Sequence, residues 1–305
     1  MNVLIDPDLP APQLRERLYG GSLVVFTRLD AVQALVGHTR EQLDKLFAPY
    51  QPECAHEHFD RAEMARLLGG WKPAYIHSAE SKRLVRDIIR EAGFADEATH
   101  YDVPKPRTSF PEGHLTTGIA YAFPWHRDAW YSAPAQQINW WVPVLGASEG
   151  SCVTFDMASF DRPVINTSST FDYYEINKAR LHTAEQVTAE EQSRPAAIDF
   201  EPVNEVLVLP PPGAILLFSG AHLHRSLPNC TRTARFSVDF RTVDVGDLMA
   251  GRGARLHDVQ CTGTSIRDFH NVADDSAFDE TMVRAYFGAP PPGAMLIFRA
   301  PSDQS

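Results

Sequence analysis

The spacing of apolar residues changes near Pro104, and this change constrains the fold more than any other feature of the sequence. Before it, apolar residues recur three and four positions apart, which is typical of amphipathic helices. After it, short β-branched and aromatic runs alternate with Pro, Gly, Asn and Ser, which is typical of strands joined by turns. The 305 residues are therefore predicted to form one domain, mainly β with flanking α-helices.

The helical pattern is confined to the first hundred residues. The strongest helix is SAESKRLVRDIIREAGF, where Ser78 is suited to the N-cap and Gly93 to the stop. Two further helices are predicted for REQLDKLFAPY and RAEMARLLGGW, and a strand for SLVVFT. Residues 1–103 are thus expected to be a helical N-terminal support.

Residues 104–243 are predicted to be the β core, an all-β sandwich or barrel. The segment 156–202 is polar and is expected to be an insertion or lid, and 244–305 is a weakly patterned C-terminal extension. PPPGAILLF at 210–218 returns as PPPGAMLIF at 290–298, which we interpret as a proline turn that leads into a buried strand, used twice. The predicted strands lie in HLTTGIAYAF, QQINWWVPV, GSCVTFD, NEVLVL, GAILLF and TARFSVDFRTV.

The charge of the chain argues against nucleic acid or a membrane surface as partner. The formal net charge is −11, whereas both of those partners select a basic surface.

There is no basic segment followed by an apolar run at the N-terminus, and the four cysteines form no C-x-x-C pair. We therefore expect a cytoplasmic protein that acts on a small molecule, of undetermined oligomeric state.

The stretch FPWHRDAWYS places ionisable groups within an aromatic run. Burying an unpaired charge is costly, so each group needs a partner or a bound ion. If the stretch is a strand, His126 and Asp128 lie two apart and point to the same side. An imidazole and a carboxylate on one side make half of a metal site, although a surface His–Asp pair is an alternative.

A further ligand is available in the later segment GAHLHRSLPN, where His222 and His224 follow an apolar strand. Two histidines and one carboxylate on one side of a metal leave three positions open, an arrangement characteristic of non-haem Fe(II) oxygenases. Spacing alone allows either histidine to complete the set.

The residues after His224 read H-R-S-L-P-N, and Arg235 follows eleven residues later. Together with the H-x-D pair, residues 114–243 resemble the phytanoyl-CoA dioxygenase-like branch of the Fe(II)/2-oxoglutarate oxygenases. The resemblance implies a double-stranded β-helix, also called a jelly-roll or cupin-like core. It also implies that His126, Asp128 and His224 bind Fe(II), that 2-oxoglutarate is the cosubstrate, and that O2 oxidises an unactivated C–H bond.

In this family an arginine at the position of Arg235 binds the far carboxylate of 2-oxoglutarate. The residue type fits independently, because a guanidinium binds a carboxylate through two parallel hydrogen bonds. A solvent-facing salt-bridge ladder on the same strand is the structural alternative. Ser226, Asn139 and Gln137 are further candidates for cosubstrate contacts, and four residues are candidates for substrate contacts: Trp130, Tyr131, Arg241 and His222.

Other interpretations fit some of the same residues. AHEHFD, at 55–60, is a second cluster of possible metal ligands, although Asp60 is also a natural N-cap. A non-catalytic jelly-roll binding protein and a zinc-dependent hydrolase would also keep a His–Asp–His set. The aspartate argues against a halogenase, where a small residue leaves room for chloride. We expect a small polar substrate, amino-acid-like or a natural-product intermediate, that is hydroxylated, desaturated or cyclised; the acidic charge disfavours a coenzyme A thioester.

Overall fold

A mixed β-sheet with flanking helices forms the centre of the computed structural model, which describes residues 2–116, 120, 122–182 and 194–290. The strands are β1 Val3–Ile5, β2 Leu23–Phe26, β3 Thr99–Tyr101, β4 Lys105–Ser109, β5 Ile138–Leu145, β6 Val153–Asp156, β7 Glu205–Val208, β8 Ile215–Ser219, β9 His224–Ser226, β10 Arg235–Asp244 and β11 His270–Asn271. The helices are α1 Ala11–Tyr19, α2 Asp30–Phe47, α3 Arg61–His77, α4 Ala79–Glu91, α5 Tyr173–His182, α6 Val245–Met249 and α7 Glu280–Phe287.

The strands form two sheets. The larger has the order β1-β2-β8-β5-β10-β3-β11, with β4 also paired to β10, and the smaller has the order β7-β6-β9. Only the β1–β2 pair is parallel among the described pairs of strands. An apolar cluster that includes Val25, Trp141, Phe155 and Leu216 joins the inner faces of the two sheets. Burial of this cluster stabilises their packing.

Strand β10 has one apolar side and one polar side. Its residues Phe236, Val238 and Phe240 are buried in the main hydrophobic core, which the N-terminal helices cover. Side chains of a strand alternate between its two sides, so Arg235 and Arg241 belong to the opposite, polar side. The sequence prediction for this strand is confirmed.

The predicted helices are confirmed, and α2 extends further towards the N-terminus than its pattern indicated. Ser78 caps α4, with its hydroxyl accepting a hydrogen bond from the Ser81 backbone N–H at 3.3 Å, and Gly93 adopts a φ of +84° just beyond the helix. The N-terminal region also contributes β1, β2 and β3 to the larger sheet, so it is continuous with the β core.

Two strand predictions have a different outcome. Within HLTTGIAYAF, residues 117–119 and 121 lie outside the described residues, and the others belong to no strand, so a strand there is not found. The second PPPGA run, from 291 onwards, also lies outside the described residues. The described parts of segment 156–202 connect β6 to β7 and contain α5. No helix in the described ranges is long and apolar enough to cross a membrane.

Candidate metal centre and adjoining cavity

His126 and His224 are brought together by backbone pairing. The backbone N–H of each donates to the carbonyl oxygen of the other at 2.9 Å, as an isolated antiparallel bridge. Strand β9, which begins at His224, is itself held by β6. Two histidines far apart in sequence therefore share one rigid support, and their ring centroids lie 4.2 Å apart.

Asp128 is positioned by a turn rather than by a continued strand, which corrects the strand interpretation of FPWHRDAWYS. It begins a 3-10 helix, Asp128–Tyr131, and the next residue's N–H donates to the carbonyl of Gly220 at 3.1 Å. Arg127 points away from the site and is buried. Its guanidinium donates to the Asp258 carboxylate at 3.1 Å and to backbone carbonyls, so its charge is paired.

The three side chains converge through one oxygen and two nitrogens. Asp128 Oδ1 lies 3.5 Å from His126 Nε2 and 3.9 Å from His224 Nε2. Each residue offers a ligand atom within 4.8 Å of the others, so this group could hold a metal ion. No other group of three His, Cys, Asp or Glu residues in the described part of the chain meets this criterion.

The orientation of both rings is fixed by their other nitrogen. His126 Nδ1 is 2.8 Å from the carbonyl oxygen of Pro124, and His224 Nδ1 is 2.9 Å from that of His222. Each Nδ1 therefore carries the proton and donates it, which leaves both Nε2 lone pairs directed towards Asp128. Metal-binding histidines are typically oriented in this way, with the other ring N–H donated to a carbonyl oxygen.

The electrostatics favour a neutral imidazole beside an ionised carboxylate. Burial, together with the neighbouring His126, lowers the pKa of His224 to about 3. Burial alone would raise the pKa of Asp128, but the polar contact with His126 and the charge of Arg241 outweigh it, and the net shift is downwards. Both groups are thus in the protonation state that binds a metal.

A cavity of about 470 Å³ opens beside the three residues. Its walls combine aromatic and polar groups from both sheets and from α3. Arg235 and Ser226 both line it, as do Asn139 and Tyr131. The sequence-predicted cosubstrate candidates therefore lie in the same cavity as the His–Asp–His group.

Arg235 is buried in the cavity wall with only 4% of its surface exposed. Its Nη1 donates to Ser237 Oγ at 3.1 Å, and its guanidinium carbon lies 5.7 Å from the centre of a Trp141 ring. Its Nε has no hydrogen-bond partner among the described residues, and neither does Asn139 Nδ2. Burial lowers the pKa of Arg235 to about 10, so the group remains charged at neutral pH. A buried cation with a free donor fits an anionic ligand.

Gln137 and Arg241 approach the other oxygen of Asp128. Gln137 Nε2 donates to Asp128 Oδ2 at 3.1 Å, and Arg241 Nε lies 3.6 Å from the same oxygen. Asp102, which had no signal in the sequence, accepts from the Arg241 backbone N–H at 2.7 Å and from Nη1 at 3.1 Å.

Two predicted substrate contacts do not line the cavity. His222 is 1% exposed, and its ring nitrogens lie 3.2 Å from the carbonyl oxygens of Ser219 and Gly21. Trp130 is fully buried, and its Nε1 donates to Asp258 Oδ1 at 2.8 Å. Neither side chain is therefore placed to contact a substrate in this cavity.

The AHEHFD segment contributes to no group of described residues that could hold a metal. Asp60 instead caps α3, with its carboxylate accepting from the Glu63 backbone N–H at 2.9 Å. The helix-cap interpretation of Asp60 is thus confirmed.

Asp258 is another contributor that sequence reasoning missed. It binds both Arg127 and Trp130, and so ties the C-terminal extension to the turn that presents Asp128. A lone aspartate in a weakly patterned segment carries no signal for such a role.

Comparison with known proteins finds no matching family model and no matching curated protein. Solved structures do show similarity. EvdO2 from Micromonospora carbonacea var. aurantiaca, complexed with 2-oxoglutarate, is 15% identical, with 78% of this chain and 92% of that chain covered and a TM-score of 0.46.

Two further solved structures are similar to a comparable extent. The non-haem monooxygenase ThoJ is 14% identical, with 90% of this chain and 94% of that chain covered and a TM-score of 0.46. SnoN, a non-haem α-ketoglutarate-dependent epimerase from nogalamycin biosynthesis, is 15% identical, with 76% and 84% covered and a TM-score of 0.39. Because these TM-scores are below 0.5, the similarities assign neither a family nor an activity to this chain.

Proposed function

We propose that this protein is an Fe(II)- and 2-oxoglutarate-dependent oxygenase with a jelly-roll core, related to the phytanoyl-CoA dioxygenase-like branch. The observation that carries the proposal is the presence, in one cavity, of a His–Asp–His group and a buried arginine with a free donor. The first part suits a metal with open positions, and the second suits the carboxylate of a dicarboxylic acid.

The donor set fits Fe(II). Imidazole nitrogen is a borderline ligand and carboxylate oxygen a hard one, and a set of three would leave positions on the metal for other ligands. Iron bound there would supply the oxidising chemistry with O2 and 2-oxoglutarate. His126, Asp128 and His224 would hold the iron. The Pro124 and His222 carbonyls orient the two imidazoles for this, with distances to Nδ1 of 2.8 and 2.9 Å.

Arg235 is assigned to the distal carboxylate of 2-oxoglutarate. Its side chain is fixed by Ser237 and Trp141, so little conformational entropy is lost when the cosubstrate binds. Ser226 and Asn139 line the same cavity and supply further polar contacts in this assignment, Asn139 through its unpartnered Nδ2.

The substrate is assigned to the remaining part of the cavity, beside Tyr131 and Phe171, whose rings are 5.3 Å apart. A volume of about 470 Å³ fits a small molecule in addition to the cosubstrate. We assign a small polar compound, such as an amino-acid derivative or natural-product intermediate, that undergoes hydroxylation, desaturation or ring closure.

The test is 2-oxoglutarate turnover with Fe(II) and O2, measured as succinate release during a screen of such compounds. His224→Ala should abolish the activity. His222→Ala should retain metal-dependent activity in the folded protein, since both ring nitrogens of His222 face backbone carbonyl oxygens rather than the cavity. Full activity of His224→Ala would contradict the assignment. Hydrolysis of a screened compound with Zn(II), without succinate release with Fe(II), would favour the zinc hydrolase instead.

A further inference from the structure

The two oxygens of Asp128 have different surroundings. Oδ1 faces the two imidazole Nε2 atoms, at 3.5 and 3.9 Å. Oδ2 faces two donors on the opposite side, Gln137 Nε2 at 3.1 Å and Arg241 Nε at 3.6 Å. The carboxylate is thus held with one edge towards the metal position and the other towards the sheet.

Gln137 is fixed in this position by its own contacts. Its backbone N–H donates to Pro134 at 3.0 Å, and its carbonyl accepts from Gly220 at 3.0 Å. Its side-chain Nε2 also donates to Asn139 Oδ1 at 2.9 Å, and only 2% of the residue is exposed. The amide therefore reaches Asp128 from a fixed backbone, with little freedom to turn away.

Arg241 is fixed as firmly, from a different strand. Asp102 binds both its backbone N–H and its Nη1, and Asp239 Oδ1 lies 3.6 Å from Nη2. Burial alone would lower the pKa of Arg241, but the charges of Asp102, Asp239 and Asp128 outweigh it and raise the pKa. A permanent positive charge is therefore held against Oδ2.

We infer that Gln137 and Arg241 are positioning residues that make Asp128 a one-oxygen metal ligand. With Oδ2 engaged by an amide and a guanidinium, only Oδ1 is available to the metal. A carboxylate that bound through both oxygens would occupy one more coordination position, at the expense of those needed by a cosubstrate and O2. This inference rests on the metal site of the proposed function, and it gives Gln137 and Arg241 roles other than cosubstrate and substrate contact.

The test is direct metal binding, without turnover. Mn(II) affinity is measured from the electron paramagnetic resonance signal of the free ion, for wild type, Gln137→Met and Arg241→Lys. Loss of a hydrogen-bond partner of a metal-binding residue typically weakens metal binding by about 10- to 100-fold, so the Mn(II) dissociation constant should rise by roughly that factor in Gln137→Met. Arg241→Lys keeps the charge but loses the planar fork, and should show a rise in the same direction.

Gln136→Met is the matched control. Gln136 is buried, next in the chain, and not part of the lining of this cavity. The same substitution there should leave the Mn(II) dissociation constant unchanged. Arg241→Lys keeps the inference testable if Gln137→Met does not fold.

A spectrum of the Co(II)-saturated protein separates positioning from simple destabilisation. Release of Oδ2 lets the carboxylate bind through both oxygens, so the added ligand should weaken the visible Co(II) absorption of Gln137→Met. An unchanged Mn(II) dissociation constant and an unchanged Co(II) spectrum in both variants would overturn the inference while the metal site stands. Failure of wild type to bind either metal would instead overturn the proposed function and this inference with it.

Discussion

Replacement of Arg235 by lysine is the sharpest test of the cosubstrate assignment. The guanidinium is 4% exposed, donates to Ser237 at 3.1 Å and has an unpartnered Nε. Lysine keeps the positive charge, but its single ammonium cannot make two parallel hydrogen bonds to a carboxylate. The substitution therefore isolates the contribution of the planar fork.

The magnitude follows from the loss of one charge-assisted hydrogen bond, which is worth about 1.5–3 kcal/mol. Since about 1.4 kcal/mol corresponds to a factor of ten, the dissociation constant of 2-oxoglutarate should rise roughly ten- to a hundredfold. Burial lowers the pKa of Arg235 only to about 10, so the wild-type cation is present throughout the neutral range and the effect should not depend on pH there.

The assay is anaerobic titration of the Fe(II) protein with 2-oxoglutarate. Arg225→Lys is the matched control: Arg225 lies in β9 beside His224 but pairs with Glu205 at 2.8 Å at the surface. It should bind 2-oxoglutarate as wild type does. Equal affinity in Arg235→Lys and wild type would refute the assignment of Arg235.

Three further predictions concern other groups. Asp128→Gly should bind Fe(II) and 2-oxoglutarate more weakly than wild type and should lose substrate oxidation, even with added chloride. The product is analysed by mass spectrometry, and wild-type product at the wild-type rate would mean that Asp128 is not a ligand. His56→Ala should leave the iron content unchanged by metal analysis, because His56 belongs to no group of the described residues that could hold a metal. Burial raises the pKa of Asp268 from 3.8 to about 6, despite the hydrogen bond from Tyr173. Folding therefore favours the protonated form of Asp268, and ionisation costs stability. Asp268→Asn should raise the free energy of unfolding by roughly 3 kcal/mol above about pH 6 and change it little below about pH 4. Equal changes in melting temperature at both pH values would contradict this.

Much of the β core could be predicted because apolar and polar residues alternate along its strands, with the apolar residues on the buried side. Phe236, Val238 and Phe240 alternate with polar residues, which is why the sequence predicts a strand there. The helix α4 was predictable for the same reason, with an apolar stripe and a cap at Ser78.

The backbone geometry that brings Asp128 close to His126 was not predictable from the local sequence pattern. The sequence suggested a continuous strand, whereas the structure uses a bridge to His224 followed by a 3-10 helix. That geometry depends on Asp258, more than a hundred residues away, which binds the intervening Arg127. Long-range partners of this kind leave no periodic signal, and the same holds for Asp102 beside Arg241.

The central claim is that His126, Asp128 and His224 hold one Fe(II) to which 2-oxoglutarate binds. The most direct measurement is the visible charge-transfer band that forms when 2-oxoglutarate is added to the Fe(II) protein without oxygen. Wild type should develop the band with one iron per chain, and alanine variants of His126 and His224 should not. A wild-type protein that binds Fe(II) yet shows no band, or a band that survives in His224→Ala, would contradict the account.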